Sequence, residues 1–146
     1  MNLPEDLLEQ AEHLAGREAT RPKQVSLRRA ISAAYYALFH FLIREACGRL
    51  AGRPDLRVLA ARAFNHGDMK KACQAVLKSP PPAHLAPLLG NPVRAALRTV
   101  ADTFVVLQTT RHDADYNLSQ RFTRDETRRR VESARDAFAA TPLPAT

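Results

Sequence analysis

The feature that most constrains the fold is a long segment without Asp, Glu, Lys or Arg, in which polar side chains recur at helical spacing. Ala30 to Ile43 is apolar except for a few polar groups, and Ser32, Tyr36 and His40 recur at every fourth position. At 3.6 residues per turn these three side chains lie on one side of a helix. The segment is shorter than the roughly 20 residues that span a bilayer. We therefore expect a core helix with a polar seam, not a membrane span.

The rest of the chain also has helical periodicity, and no segment shows the alternation of a strand. Ser26 is the predicted N-cap of the long core helix, which extends to about Gly48 or Gly52. Thr123 and Glu126 have the spacing of a capping box that opens the last helix. The other predicted helices cover Leu3–Gly16, Pro54–Phe64, Met69–Lys78 with Asp68 as its cap, and Pro92–Tyr116. Asn65 to Gly67 is predicted to end the helix that Pro54 begins.

Length and composition limit the domain organisation. The chain has 146 residues, 45% of them hydrophobic, which is enough for one compact core. We expect a single all-α domain over residues 1–140, an antiparallel bundle, followed by a Pro-containing tail over 141–146. Cys47 and Cys73 have no partner at metal-site spacing, and the N-terminus lacks a basic-then-apolar signal. These observations favour a cytoplasmic protein without disulfides, metal or cofactor.

A second unusual motif, Arg111-His-Asp-Ala-Asp-Tyr116, ends the helix that begins near Pro92. Arg111 and Asp115 are four residues apart, so an ion pair within the helix is one interpretation. If this helix and the core helix are the central pair of an antiparallel bundle, Tyr36 or His40 comes near Arg111. Sequence does not fix the register on which that contact depends. Tyrosines and a histidine at such positions are more often core or interface residues with satisfied polar groups than ligand contacts.

Both motifs resemble those of one family. Ser32-Ala-Ala-Tyr-Tyr-Ala-Leu-Phe-His40 is similar to the Ser-Arg-Ala-Tyr-Tyr-Ala-x-Phe-His signature of the HEPN superfamily, the helical domains named after higher eukaryotes and prokaryotes nucleotide-binding proteins. Arg111 to Tyr116 is similar to the Arg-x-x-Ala-Asp-Tyr element of small prokaryotic members. The resemblance implies a four-helix bundle with one or two additional short helices. It also implies a homodimer in which the motifs face each other.

The resemblance further implies an RNA-directed toxin or defence effector, since many HEPN proteins are metal-independent ribonucleases. Their usual motif is an Arg, then four to six residues, then a His. Here His112 directly follows Arg111, and no histidine lies C-terminal to it. A variant endoribonuclease would use Arg111 to stabilise the phosphorane, with His112, His40 or Asp115 transferring protons. Because adjacent helical residues point about 100° apart, we expect Arg111 and His112 to converge only with help from a second subunit or a distorted helix end.

The alternative is a non-catalytic HEPN module that binds nucleotide, RNA or a partner protein. Ser32, Tyr36, His40 and Tyr116 are then the binding or supporting residues. Small HEPN proteins often pair with a nucleotidyltransferase-type antitoxin, which makes Tyr116 the candidate for modification. The chain has 22 Lys and Arg against 15 Asp and Glu, a net charge of +7, which permits binding to a polyanion such as RNA. A dimer whose motifs form a shared basic cleft favours the nuclease, whereas burial of Arg111 against Asp115 favours the binding module.

Overall fold

The computed structural model describes residues 2–48, 66–78 and 95–140, and it places five α-helices and no strand in these ranges. The helices are α1 Leu3–Ala15, α2 Gln24–Gly48, α3 His66–Leu77, α4 Ala95–Tyr116 and α5 Arg124–Ala140. The all-α prediction is confirmed for these residues. The predicted helix from Pro54 to Phe64, the predicted start at Pro92 and the tail lie outside the described residues.

Helix α2 is the centre of the bundle, because it packs against α1, α4 and α5, while α3 packs on α4. Tyr35, Leu38 and Phe104 are fully buried between α2 and α4. Near the other end of α2, the ring of Phe41 stacks on Phe138 of α5 with 4.1 Å between centroids. Burial of such rings removes large apolar areas from water and supplies much of the stabilisation of a bundle core.

Charged contacts fix the helix directions. Arg44 near the end of α2 binds both carboxylate oxygens of Glu5 in the first turn of α1, at 2.9 Å for one of the two contacts. Arg28 near the start of α2 binds carbonyls at the end of α4. Helices α1 and α4 are therefore antiparallel to α2. The prediction of antiparallel neighbours is confirmed for these two pairs.

The start of α2 differs from the prediction. Ser26 is a buried residue inside the first turn, not the N-cap, and the helix begins at Gln24. The cap comes from the preceding linker: Glu18 accepts hydrogen bonds from the Lys23 backbone N–H at 2.7 Å and from the Ser26 hydroxyl at 2.8 Å. The Lys23 N–H is the main cause that lowers the pKa of Glu18. A capping carboxylate outside the helix is not visible in a local sequence pattern.

Helix α3 also begins earlier than predicted. His66 and Gly67 are helical, so Asp68 lies in the first turn and is not the N-cap. The prediction that Asn65 to Gly67 ends a helix is therefore wrong for His66 and Gly67. A carboxylate in the first turn still interacts favourably with the helix dipole. The capping box of α5 is confirmed, since the Glu126 N–H donates to Thr123 Oγ1 at 3.1 Å and the Thr123 N–H donates to Glu126 Oε2 at 3.5 Å.

The C-terminal end of α4 is held by two side chains of α2. Arg28 Nη1 donates to the carbonyls of Ala114 at 2.9 Å and Asn117 at 3.0 Å, and Nη2 donates to the carbonyl of Gln120. The Gln24 side chain makes two hydrogen bonds with the Phe122 backbone. Its amide N–H donates to the Phe122 carbonyl at 2.8 Å, and its amide oxygen accepts from the Phe122 N–H at 2.9 Å. The last carbonyls of a helix lack partners within the helix, and a cation there also complements the dipole. Arg28 thus fixes the end of the helix that carries the second motif.

Replacing Arg28 by Met keeps most of the apolar stem but removes every hydrogen bond of the guanidinium. We expect Arg28→Met to lower the free energy of unfolding by about 2 kcal/mol, because bonds to a charged donor contribute about 1.5–3 kcal/mol. Urea unfolding followed by circular dichroism measures this change. The matched control is Arg29→Met, an exposed neighbour, for which the change stays within about 0.5 kcal/mol. Equal effects of the two substitutions would contradict the role of Arg28.

Candidate functional site

The two sequence motifs meet where α2 crosses the last turns of α4, and Asp115 is the acceptor that joins them. Its Oδ2 lies 3.4 Å from Arg111 Nη1 on the same helix and 3.5 Å from the Ser32 hydroxyl of α2. The side chains of Arg111 and Asp115 are 14% and 24% exposed. The predicted intrahelical ion pair is therefore present, and it is largely withdrawn from solvent.

The guanidinium of Arg111 also covers two aromatic rings of α2. Its central carbon lies 4.9 Å from the Tyr35 ring centroid and 5.5 Å from that of Tyr36, which is within the range of cation–π attraction. Burial lowers the pKa of Arg111, but Tyr36, Tyr35 and Asp115 outweigh that effect and raise it. The Nε atom is buried and makes no hydrogen bond within the described part of the chain. Arg111 is a fixed cation whose main contacts are inside the protein.

The two tyrosines of α2 have different environments. Tyr35 is fully buried, and burial raises the pKa of its phenol to about 12, although Arg111 and Gln108 nearby act in the opposite direction. Tyr36 is half-buried, and His40 stacks on it with 6.4 Å between ring centroids. Burial lowers the pKa of His40, which favours the neutral imidazole. The polar seam Ser32, Tyr36 and His40 is thus continuous with the Arg111–Asp115 pair through ring contacts.

Two predicted residues lie on the exposed side of α4. His112 is exposed, and its ring lies 5.1 Å from that of Tyr116, one turn further along. Tyr116 is 66% exposed. The seven candidate residues of the sequence, here called the strip, form two contact groups. Ser32, Tyr36, His40, Arg111 and Asp115 make one group, and His112 with Tyr116 makes the other. Of these seven, only His112 and Tyr116 are exposed.

Two grooves open on either side of this strip. The first, here called the α3–α4 groove, has a volume of about 350 Å³. It is lined by Lys70, Gln108, Thr109, Arg111, His112 and Asp113. Arg111 and His112 share this groove within one subunit, although they are adjacent on the helix. The second groove, of about 370 Å³, is lined by residues that include Arg28, Asp115 and Tyr116.

This division separates the three proposed catalytic residues. Asp115 opens onto the second groove, while Arg111 and His112 line the first. Metal-free RNA cleavage needs a base, an acid and a charge stabiliser around one phosphate. Within one chain Asp115 is engaged with Arg111 and Ser32, so the groups of the groove that could transfer protons are His112 and Asp113. The groove therefore holds two cations that can attract a phosphate, Lys70 and Arg111, beside two groups that could transfer protons.

Sequence reasoning missed Lys70, which brings a second cation into the α3–α4 groove. No motif marks it, because its place depends on how α3 packs on α4. Across residues 2–48, 66–78 and 95–140 no group of three or more His, Cys, Asp or Glu side chains is arranged to hold a metal ion. Within the same ranges no helix has both the length and the apolar character needed to cross a membrane.

Comparisons with known proteins do not identify a relative. No family model matches the sequence, and no curated protein and no solved structure matches it.

The raised pKa of Tyr35 predicts a dependence of stability on alkaline pH. The folded state keeps the phenol protonated to about pH 12, whereas an unfolded tyrosine ionises near its ordinary value of 10.0. Stability from this group is therefore complete below pH 10 and is lost as pH rises towards 12. We expect urea unfolding of Tyr35→Phe to show a shallower alkaline loss than wild type.

The control for this titration is Tyr116→Phe, which alters an exposed ring and should retain the wild-type pH dependence. If Tyr35→Phe and wild type lost stability in parallel above pH 10, the phenol of Tyr35 would not be the buried group that the structure places beside Arg111.

Proposed function

We propose that this chain is a non-catalytic module of the HEPN type that binds RNA through its phosphates in the α3–α4 groove. Helices α1, α2, α4 and α5 would form the four-helix bundle of that family, with α3 as an additional helix. The sequence resemblance provides the family, and the packing of α2 against α1, α4 and α5 is compatible with it.

The observation that carries the choice of binding over cleavage is the position of Arg111. Its guanidinium is paired with Asp115, covers the rings of Tyr35 and Tyr36, and is 14% exposed. Electrostatic stabilisation of a transition state needs donors aimed at the site where charge develops. Nη1 of Arg111 is directed at Asp115 and its Nε is buried, so the side chain supplies a local positive potential but presents little of its donor surface to a ligand. Burial of Arg111 against Asp115 is the arrangement that favours the binding module.

The α3–α4 groove supplies the groups that recognise phosphate. Lys70 contributes a flexible ammonium donor, His112 an exposed imidazole, and Arg111 a fixed positive charge along the same wall. Phosphate contacts from such side chains provide most of the sequence-independent affinity for a nucleic acid. The net charge of +7 adds attraction at longer range.

The proposed partners are a second copy of the chain and a nucleotidyltransferase-type antitoxin, and the proposed location is the cytoplasm. The exposed end of α4 supports the two protein partners. Tyr116 and Leu118 are 66% and 87% exposed, and Val25 across the second groove is 57% exposed. Such a cluster of large apolar side chains is typical of contact surfaces. The Tyr116 hydroxyl is accessible to a modifying enzyme.

A second candidate function is the variant metal-independent endoribonuclease, acting as a toxin or defence effector. One observation favours it: Arg111 and His112 line the same groove without a second subunit. In that case His112 transfers one proton and Arg111 stabilises the developing charge, while Asp113 of the same groove is the candidate for the other proton transfer.

The experiment measures binding and cleavage on the same samples. Labelled single-stranded RNA is titrated with protein in EDTA, anisotropy gives the Kd, and a gel shows whether the RNA stays intact. We expect intact RNA, and Lys70→Ala should weaken binding roughly fivefold, equivalent to about 1 kcal/mol. The matched control, Lys71→Ala, removes the same charge from the exposed neighbouring position on α3 and should have a much smaller effect.

Each result has a distinct meaning. Equal losses in Lys70→Ala and Lys71→Ala would exclude the groove as the binding site, and the absence of binding by wild type would overturn the proposed function. Fragmentation of RNA in EDTA by wild type that disappears in both Arg111→Ala and His112→Ala would establish the nuclease instead.

A further inference from the structure

A third cavity lies between the C-terminal half of α4 and the first turns of α5, with a volume of about 310 Å³. Its polar lining comes from both helices and the loop between them. The residues are Thr110, Asp113, Gln120, Glu126, Arg129 and Arg130. We call this the α4–α5 cavity. It is separate from the α3–α4 groove, but Asp113 lines both, so the two adjoin at that side chain.

Arg129 and Arg130 differ from Arg124 and Arg135 of the same helix. Arg124 donates to the carbonyls of Ala15 and Glu18, and Arg135 pairs with Glu12. Within the described residues, the guanidinium groups of Arg129 and Arg130 make no hydrogen bond or ion pair. Each therefore has its full set of donors available for a ligand in the cavity. Guanidinium groups bind phosphate oxygens with paired, charge-assisted hydrogen bonds.

The two carboxylates of the cavity define where an anion can lie. Glu126 is turned towards the start of α5, where its Oε2 accepts the Thr123 N–H in the capping box. Asp113 stands between the cavity and the α3–α4 groove, and its side chain makes no hydrogen bond within the described residues. Successive phosphates of one strand can lie on either side of Asp113, whereas a single phosphate beside it would be repelled.

We propose that Arg129 and Arg130 form a second phosphate-binding site, which holds the backbone of the same single-stranded RNA that lies in the α3–α4 groove. This inference rests on the proposed function for its ligand, and it makes that ligand a strand of several nucleotides instead of a mononucleotide. The strand passes Asp113 and is contacted by cations of α3 and α4 on one side and of α5 on the other.

Salt dependence tests the second site, because each phosphate contact on a single strand contributes about 0.7 to the slope of log K against log salt. With a single-stranded RNA long enough to cover both sites, Arg129→Ala/Arg130→Ala should lower the slope by about 1.4. The charge-matched control, Arg128→Ala/Arg135→Ala, removes two arginines from the same helix outside the cavity and should leave the slope close to wild type. Circular dichroism confirms that each variant is folded.

Neutralising Asp113 gives an opposite and independent signal. Asp113→Asn removes the carboxylate between the two sites and should raise RNA affinity severalfold, since like-charge repulsion is lost. Its backbone carbonyl, which accepts from Arg28, is unchanged. The control Asp102→Asn neutralises an exposed carboxylate on the same helix and should change the affinity much less.

The outcomes separate this inference from the proposed function. A slope that falls for Lys70→Ala but not for Arg129→Ala/Arg130→Ala overturns the second site and leaves the groove. A slope that falls only for the arginine pair supports the second site and overturns the groove as the primary one. No binding by wild type overturns both.

Discussion

The contact on which the site depends is that of Arg111 with the neighbouring helix. A cation that is 14% exposed must be stabilised by the protein, because removal of a charge from water is costly. Asp115 supplies the opposite charge, Ser32 binds the same carboxylate, and the rings of Tyr35 and Tyr36 cover the guanidinium. These contacts fix the register of α2 on α4. The register in turn decides which side chains face the grooves.

Several other charged residues also serve the fold by closing helix ends from a distance. Arg28 holds the end of α4, Arg124 binds carbonyls at the end of α1, and Glu18 caps the start of α2. These side chains provide hydrogen-bond partners for helix-end backbone groups that water would otherwise solvate. Part of the arginine content therefore has a structural use, and net charge alone is a weak indicator of RNA binding. The cations that remain without protein partners carry more functional information.

Local patterns predicted what depends on local geometry. The helical class, the capping box of Thr123 and Glu126 and the pair of Arg111 with Asp115 follow from spacing along one helix. Antiparallel packing allows Tyr36 or His40 to come near Arg111 without fixing the register, and the structure shows the contact with Tyr36. The HEPN resemblance and the functions that it implies stay predictions.

What could not be predicted depends on contacts between distant segments. Ser26 is a residue type that favours the N-cap position. In the structure, however, Glu18 of the preceding linker accepts the hydrogen bonds at the start of α2, from the Lys23 N–H and the Ser26 hydroxyl. Lys70 has no motif, because its position in the α3–α4 groove follows from how α3 packs on α4. The motif predicts Asp115 and His112 in one site. In the structure, Asp115 lines the second groove and His112 lines the α3–α4 groove, because residues three apart on a helix do not point in the same direction.

The central claim, that Arg111 is committed to the protein's own contacts, is tested most directly by a double-mutant cycle. The free energies of urea unfolding are measured for wild type, Arg111→Met, Asp115→Asn and the double variant. We expect a coupling energy of about 1 kcal/mol, within the range found for side chains in one network. A coupling below about 0.3 kcal/mol, the level expected for independent sites, would contradict it and would mean that the guanidinium is free to act on a ligand.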